Sequence, residues 1–400
     1  MKKTFIILAS AVVILASCSK DDKVQINNEQ EEAVIGFTTY AEAQTKGADN
    51  NKNASALWSL EAHNTTFDVW AWKYYNGAWV TPAVYGTETT GNSRKGVVTY
   101  NTTSKAWVAD PLKYWDKSAD KYYFYAAAPS SANWQLNNNG SATDFSDDYL
   151  TYADFKLTGT GIDSTYYVKS FIEVADVDLM IAEDNEVERV NYNKDEPETV
   201  HELFDHILSR LNVTVALKDG GDLDKDGVVV KVTSFSITGV DLCNKGSFNE
   251  NANLGEGKKL EDGTTKRWTA TLDGTYNLAG LDIKDSTLTD KPLYIAQYLI
   301  IPQEVTFEEL DRAKAVLASD GTTAAAHTYL TISYTINDEP FTAYYNLAHA
   351  FGKNATNSKL AFNEGWQNTL NIQLDADVIE FNPEVYEWTD HENVPVVIFD

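Results

Sequence analysis

Alternating apolar and polar residues recur along most of this chain. In residues 330–336 every second residue is apolar, and residues 370–374 repeat the same period of two. That period places the apolar side chains on one face of a β-strand. Because such segments are short and recur at similar spacings, the pattern predicts an all-β protein with one face of each sheet buried, as in β-sandwiches.

Two hairpins are predicted from the residues between such segments. Asn76 and Gly77 separate two runs rich in aromatic and β-branched residues, and both residue types tolerate the positive φ of a tight turn. Residues 337–340 separate the alternating run 330–336 from the returning run 341–345. Each arrangement is typical of antiparallel strands joined by a short turn.

One segment predicts a helix and one predicts an irregularity. Residues 306–318 begin with Thr306 as a candidate N-cap and carry Glu309 three residues later, which is the spacing of a capping box. In residues 204–215 the apolar positions change from even to odd numbers. A bulge or a short irregular turn near Ser209-Arg210 would explain that change and restore a single buried face.

The N-terminus has the pattern of an export signal. Two lysines precede an apolar run of about fourteen residues, 4–17, which as a helix spans roughly 21 Å against the ~30 Å of a bilayer core. The run predicts a signal peptide over residues 1–17. No later segment approaches eighteen apolar residues, so we expect the rest of the chain to lie outside the membrane.

The residues that follow indicate lipid attachment. Leu15-Ala16-Ser17-Cys18 resembles a bacterial lipobox, in which the cysteine is acylated and becomes the new N-terminus; the alternative is a simple signal peptide with an incidental cysteine. The residues Ser19, Lys20, Asp21 and Asp22 resemble the signal that sends Bacteroidetes lipoproteins to the outer cell surface.

Composition excludes several classes of function. The chain has 32 Lys and Arg against 59 Asp and Glu, a net charge of −27, which disfavours binding to nucleic acid or to anionic membrane surfaces. The second of its two cysteines, Cys243, has no partner for an intramolecular disulfide once Cys18 is lipidated or removed. We interpret Cys243 as a small buried residue.

Candidate catalytic and metal sites do not meet the required geometry. His201 and His206 are five residues apart, whereas a zinc-protease helix needs two histidines four apart. The run Asp222–Gly227 matches only the first half of an EF-hand loop, since position 12 is Thr233, and a turn between strands explains it as well. We therefore predict no enzymatic activity, no metal site and no cofactor.

The aromatic residues allow two interpretations. In a strand, Trp70, Trp72 and Tyr74 would share one face. Together with Tyr75 they could form a sugar-stacking platform on a surface protein, or they could pack in the core of a sandwich, where aromatic pairs across strands are also favourable.

Several segments, in their order along the chain, resemble the fimbrillin family, the lipoprotein pilins of type V pili in Bacteroidia. No single segment is specific, but together they span nearly the whole sequence. Besides the lipobox, they are Lys113–Trp115, Tyr122–Pro129, Asp178–Ala182, Phe204–Leu211, Tyr298–Gln303, Gly365-Trp366, Ile379–Phe381 and Val385–Trp388.

The resemblance implies two transthyretin-like β-sandwich domains in tandem and no enzymatic activity. With a boundary near residue 198, at the charged break that contains Pro197, the domains would cover residues 47–198 and 199–400. Residues 18–46 would form a propeptide or tether. Family members reach the outer membrane as lipoproteins, and a trypsin-like protease then cuts near the mature start and frees an N-terminal strand.

This sequence offers a candidate for each part of that process. The removable strand would be residues 33–40, and the cut would fall between Lys46 and Gly47. A terminal strand of a neighbouring subunit fills the vacated groove, and here the candidate donor is 394–399. Its apolar residues are Val394, Val396, Val397, Ile398 and Phe399. Alternatively, this segment pairs within its own domain as an edge strand, where Pro395 is tolerated.

The sequence therefore predicts a structural subunit of a surface pilus that supports adhesion. Its partners would be other pilus subunits, and before the cut it would be held to the outer membrane by lipid. The alternative is a surface lipoprotein that does not polymerise, or a pilus-tip adhesin, binding glycans or a host ligand.

Overall fold

The structure is a computed structural model. It describes residues 33–41, 66–86, 95–101, 103–104, 106–137, 145, 148–159, 162–163, 177–182, 185–189, 199–239, 242–251, 267–271, 276–282, 287–306, 329–346, 359–376 and 379–387.

The described residues form 24 β-strands in five sheets, which confirms the prediction of an all-β fold. The strands are β1 (Phe37–Ala41), β2 (Thr66–Tyr75), β3 (Ala78–Tyr85), β4 (Gly96–Asn101), β5 (Ala106–Asp110), β6 (Lys121–Ala128), β7 (Trp134–Asn137), β8 (Tyr149–Lys156), β9 (Ile162–Asp163), β10 (Met180–Ala182), β11 (Asn185–Glu188), β12 (Val200–His206), β13 (Ser209–Leu217), β14 (Val230–Gly239), β15 (Lys245–Asn249), β16 (Trp268–Thr271), β17 (Tyr276–Asp282), β18 (Leu293–Ile300), β19 (Gln303–Thr306), β20 (Tyr329–Ile336), β21 (Glu339–Asn346), β22 (Lys359–Phe362), β23 (Trp366–Leu374) and β24 (Ile379–Glu387).

The largest sheet closes on itself. Its nine strands have the order β11-β6-β10-β12-β1-β5-β4-β2-β3, and β6 also pairs with β2. Seven strands therefore form a ring, β2-β6-β10-β12-β1-β5-β4, to which β3 and β11 are added. We call this the strand ring. A closed ring leaves none of its seven strands as a free edge over the paired segments.

An apolar cluster fills the strand ring. On β2 the odd-numbered residues Phe67, Val69 and Ala71 belong to it, and on β6 the even-numbered residues from Tyr122 to Ala128. The opposite parities of the same two strands belong to a second, larger cluster. Both strands are thus buried on both faces, which explains why their sequences are nearly continuous apolar runs.

The second cluster also includes residues of the remaining sheets. A five-stranded sheet has the order β24-β23-β13-β18-β9, and a four-stranded sheet has the order β17-β14-β20-β21. Leu370, Ile372 and Leu374 are buried within β23, as their alternation predicts. The remaining two sheets are β16-β15-β8-β7 and the pair β19-β22.

Both predicted hairpins are present, and one turn is shorter than expected. Asn76 and Gly77 have φ values of 50° and 81° and join β2 to β3. In the second hairpin only Asn337 and Asp338 form the turn, with φ values of 49° and 69°. Pro340 already pairs in β21, because two residues with positive φ reverse the chain without a longer loop.

The parity change in residues 204–215 is a boundary between two strands and two sheets. Ile207 and Leu208 separate β12 from β13, two residues earlier than predicted. β12 belongs to the strand ring and β13 to the five-stranded sheet. The expectation of a single buried face is wrong for β13, since residues on both of its faces are buried.

The predicted helix 306–318 and the predicted domain boundary near residue 198 lie mostly outside the described residues. Thr306 is the last residue of β19, and the remainder of the predicted helix 306–318 lies outside the described residues. The tandem transthyretin-like domains and their boundary near residue 198 stay a prediction. β12, which follows that boundary, pairs with β10 and β1 of the strand ring.

Candidate functional site

The site is the position of β1 within the strand ring. β1 pairs in parallel with β12, from Phe37 opposite Val200 to Ala41 opposite Phe204, and antiparallel with β5 at Trp107. We call the space that β1 occupies between these two strands the β1 slot. Because β1 has a strand on each side, its backbone holds the ring closed at this point.

Backbone hydrogen bonds extend the slot to the residues just before β1. The N–H of Ile35 donates to the carbonyl of Lys113 at 2.9 Å, and the N–H of Trp115 donates to the carbonyl of Ala33 at 2.9 Å. On the other side, the N–H of Val200 donates to the carbonyl of Gly36 at 2.8 Å. Residues 33–41 are therefore held as one extended segment.

Alternate side chains of this segment point into the strand ring. Ile35, Phe37 and Thr39 are all buried, as the period of two in a strand requires. Phe37 lies at the centre of an aromatic group, with its ring centroid 5.9 Å from Phe67 and 6.1 Å from Phe124. Removing the segment would uncover an apolar trough.

A fully buried carboxyl lies on the wall of the slot. Glu202 of β12 stands opposite Thr39 in the strand register and is 0% exposed. Neither of its oxygens has a hydrogen-bond partner, and the hydroxyl of Thr39 also has none. Burial raises the pKa of Glu202 to about 8, although the nearby Asn185 amide favours its ionised form.

Sequence reasoning missed Glu202, although a signal was present. In β12 the residues on the buried face are Val200, Glu202, Phe204 and His206. A charged residue type on the apolar parity of a strand marks a buried polar group. The signal becomes clear only when the bounds of the strand and its neighbours are known.

The outer face of the slot is partly polar and partly apolar. The hydroxyl of Thr38 lies 2.5 Å from Nδ1 of His201. Four apolar residues just before β1, on β5 and just after β5 are exposed to solvent. They are Val34, Val108, Leu112 and Tyr114.

The residues predicted from sequence to carry function lie outside the described part of the chain. These are the lipidation site, the export signal, the cut site and the donor strand: Cys18, Ser19, Lys20, Asp21, Asp22, Lys46, Gly47, Val394, Val396, Val397, Ile398 and Phe399. The predicted removable strand, 33–40, does lie in it and coincides with the segment that fills the β1 slot.

The two tryptophans considered for sugar stacking belong to the core. Trp70 and Trp72 are 0% and 2% exposed. Trp72 stacks on Phe145 with ring centroids 4.5 Å apart. The platform interpretation is therefore wrong for these two side chains and the core interpretation is confirmed.

The histidines and the Asp-rich segment have structural surroundings. His206 is buried and its Nδ1 lies 2.7 Å from Oδ2 of Asp178, while His201 points to the opposite side of β12. The segment Asp222–Gly227 forms turns between β13 and β14, where the N–H of Asp222 donates to Asp375 at 2.9 Å. The N–H of Ala376, together with this bond, lowers the pKa of Asp375.

Cys243 is half-buried, and burial raises the pKa of its thiol, which disfavours the reactive thiolate. Its N–H donates to the side-chain oxygen of Gln303 at 2.6 Å.

Among the described residues, no helix has the length and apolar character needed to cross a membrane.

Comparison with protein families gives one assignment. The family model described as fimbrillin-like matches residues 63–388, which is most of the chain. No curated protein matches the chain at a significant level.

Solved structures that match this chain include proteins from Bacteroides and Porphyromonas species. A protein assigned to cell adhesion from Bacteroides uniformis is 14% identical, covers 91% of this chain and 100% of its own, and has a TM-score of 0.45. A fimbrial protein from Bacteroides vulgatus is 16% identical, with 89% and 99% covered and a TM-score of 0.43. The tip fimbrial protein Mfa3 from Porphyromonas gingivalis, with a C-terminal truncation, is 9% identical, with 82% and 95% covered and a TM-score of 0.34.

Proposed function

The chain belongs to the fimbrillin-like family, and from that premise we propose that it is a structural subunit of a surface fimbria that supports adhesion. In this proposal the subunit assembles by strand exchange. Segment 33–41 leaves the β1 slot, and a strand of a neighbouring subunit takes its place. Among the proteins of similar fold, one is described as fimbrial and others as cell adhesion proteins.

One observation carries the proposal: an N-terminal segment completes the strand ring. Its two backbone edges bond to β12 and to the residues around β5, while its inward side chains fill the apolar interior. The body of the fold therefore depends on a segment that lies at one end of the described chain.

The physical consequence of losing this segment favours association. An empty slot exposes an apolar floor, which is costly in contact with water, and leaves N–H and C=O groups on both sides available to pair with another strand. A strand from another chain satisfies the backbone groups and buries the floor at the same time. Because donor and slot are different surfaces, repetition of the contact produces an open filament.

The proposed processing fits the position of β1. We propose that Cys18 is lipidated and that Ser19, Lys20, Asp21 and Asp22 direct the lipoprotein to the surface side of the outer membrane. A cut between Lys46 and Gly47 would fall five residues after β1 ends at Ala41. Such a cut would separate the segment from the rest of the chain, with only non-covalent contacts to hold it.

We propose that the donor is the C-terminal strand 394–399 of a neighbouring subunit. It is apolar at five of its six positions and therefore needs a surface against which to bury itself. Its remaining residue, Pro395, is the second of the strand and has no N–H to donate, so it suits a position near the strand end where no such bond is required. The alternative is that residues 394–399 pair within their own domain as an edge strand.

Proteolysis tests the proposed function directly. Treatment with a trypsin-type protease should convert the monomer into ladders that resist SDS, with Gly47 as the new N-terminal residue. The matched variant Lys46→Gln should remain monomeric under the same treatment. Deleting residues 394–400 should abolish the ladders and leave a folded monomer. A chain that is cut at Lys46 and stays monomeric at high concentration would contradict the proposal.

A subunit that binds glycans at the surface without polymerising is the second candidate function. The burial of Trp70 and Trp72 removes two of the four aromatic residues first considered for such binding, whereas Tyr75 is exposed. Detection of lipidated Cys18 as the N-terminal residue of the protein on cells would favour this candidate over a polymerised pilin.

A further inference from the structure

The β1 slot contains one polar pair, Thr39 and Glu202, in an otherwise apolar interior, and the two side chains stand opposite each other without a hydrogen bond between them. Along the buried face of the segment, Ile35 and Phe37 contribute to the apolar cluster of the strand ring. The next inward residue, Thr39, stands opposite Glu202, and both side chains are buried. The polar pair therefore lies at one defined position of the slot, two residues after the aromatic ring.

The chemistry of the pair makes Thr39 the natural partner of Glu202. A buried carboxyl without a hydrogen bond is destabilising, and the same is true of a buried hydroxyl. A hydroxyl can donate and accept a hydrogen bond, so it can satisfy the carboxyl in either protonation state. An aliphatic side chain at this position would leave Glu202 with no partner from the occupant strand.

We propose that Glu202 is the specificity-determining residue of the β1 slot and selects the strand that enters it. This inference rests on the proposed function, because it concerns the strand of another subunit that replaces β1. The favoured occupant is a β-strand with an aliphatic residue, an aromatic residue and a hydroxyl- or amide-bearing residue at three successive inward positions. That is the pattern that Ile35, Phe37 and Thr39 have in the resident segment.

Glu202 also sets the register of the occupant. Shifting the strand by two residues keeps its apolar face inward, so the apolar interior alone discriminates weakly between such registers. The same shift would place the aromatic ring of the occupant against the Glu202 carboxyl. Single buried polar residues are known to fix register in this way in other assemblies of secondary structure.

The C-terminal segment, which we propose as the donor after the cut segment has left, matches only the apolar part of this pattern and should therefore bind more weakly than the resident segment. Aligned in the direction of β1 with Phe399 in place of Phe37, it puts Val397 in place of Ile35. Pro395 then takes the place of Ala33. The carbonyl of Ala33 accepts a hydrogen bond from the N–H of Trp115, and a proline at this position also has a carbonyl to accept it. Asp400 then takes the place of Thr38 on the outer face, so residues 394–400 bring no side chain to Glu202 in this register.

The test is peptide exchange in the full chain. A site-specific protease sequence replaces residues 44–47, the chain is cut, and synthetic peptides compete for the slot, with bound peptide measured by native mass spectrometry. The peptides are residues 33–41, the same peptide with Thr39→Val, and residues 389–400. The control peptide carries Thr38→Val, which removes a hydroxyl from the outer face.

In the unsubstituted chain we expect the Thr39→Val peptide to bind about tenfold more weakly than the parent peptide. The Thr38→Val peptide should lose no more than about threefold, since its hydroxyl lies at an exposed position. The 389–400 peptide should also bind more weakly than the parent. In a Glu202→Met chain the preference for threonine should disappear, while a Glu202→Gln chain should keep it.

The outcomes separate this inference from the proposed function. If the parent peptide enters the slot and the Thr39→Val peptide enters equally well, the role of Glu202 is overturned while strand exchange stands. If the 389–400 peptide binds the unsubstituted chain most tightly, the role of Glu202 is likewise overturned. If no peptide replaces the cut segment in any chain, the proposed function fails.

Discussion

Two carboxyl groups on the strand ring are equally buried and have opposite surroundings. Asp68 on β2 and Glu202 on β12 are both 0% exposed. Asp68 lies 2.5 Å from the ammonium of Lys95 and accepts hydrogen bonds from the hydroxyl of Ser130 and the N–H of Ser131, at 2.5 and 3.0 Å. Neither oxygen of Glu202 has such a partner.

The difference shows how a buried carboxyl that supports the fold can be distinguished from one that serves a replaceable part. The partners of Asp68 lie on segments that stay in the fold when β1 is removed. The residue opposite Glu202 lies on the segment that we propose is exchanged. Burial alone does not separate the two cases, whereas the presence of hydrogen-bond partners on permanent segments does, since Asp68 has them and Glu202 has none.

Replacing Asp68, the carboxyl with hydrogen-bond partners, should have the largest effect on the free energy of unfolding. Asp68→Asn leaves the ammonium of Lys95 in a mostly buried position without a counter-charge. Removing one partner of a buried ion pair costs about 3–5 kcal/mol of the free energy of unfolding. Urea denaturation measures this loss. The matched variant Asp219→Asn, at an exposed position, should change the value by less than about 0.5 kcal/mol. A loss no larger than that of the control would contradict the structural role of Asp68.

Glu202→Gln should increase the free energy of unfolding, whereas Asp68→Asn should decrease it. The pKa of Glu202 is about 8 in the fold against 4.5 when unperturbed. Between these values the unfolded chain releases a proton that the folded chain keeps, so the stability contributed by Glu202 falls as pH rises from 4.5 to 8. The glutamine does not titrate and should stabilise the protein by about 1–3 kcal/mol at pH 8.

Denaturation of both proteins at several pH values tests this sign. The gain from Glu202→Gln should shrink as the pH is lowered and vanish near pH 4, where the carboxyl is protonated in both states. A gain that is equal at pH 4 and pH 8 would show that the carboxyl does not titrate between the two states.

The sequence predicted the local features of this fold well. The turn at Asn76-Gly77, the alternation in 370–374 and the strand within 33–40 all depend on neighbouring residues, and all are present in the structure. The family resemblance, which rests on many short segments in order, is also confirmed.

Non-local pairing was beyond sequence reasoning. The surroundings of Glu202 depend on a parallel pairing between β1 and β12, which are more than 150 residues apart. Periodicity states which face of a strand is buried but not which strand lies beside it. For the same reason, Trp70 and Trp72 could be assigned to a core or to a binding surface until the second cluster was known.

A smaller effect should come from the partner strand. Thr39→Val in the intact chain should destabilise the fold by about 1 kcal/mol, because the hydroxyl lost is the one that faces Glu202. In a Glu202→Met background the same change should be neutral or stabilising, since the hydroxyl then has nothing to bond. Denaturation of the four proteins in a double-mutant cycle measures the coupling, and additive effects would mean that the two side chains do not interact.

The smallest effect should come from the adjacent residue on the outer face. The hydroxyl of Thr38 lies 2.5 Å from Nδ1 of His201, but both groups remain accessible to water. When this contact is lost, water can replace it, so Thr38→Val should cost no more than about 0.5 kcal/mol. Urea denaturation of this variant beside Thr39→Val compares two hydroxyls on successive residues of one strand. If Thr38→Val cost more stability than Thr39→Val, the outer hydroxyl of Thr38 would contribute more to the fold than the hydroxyl opposite Glu202.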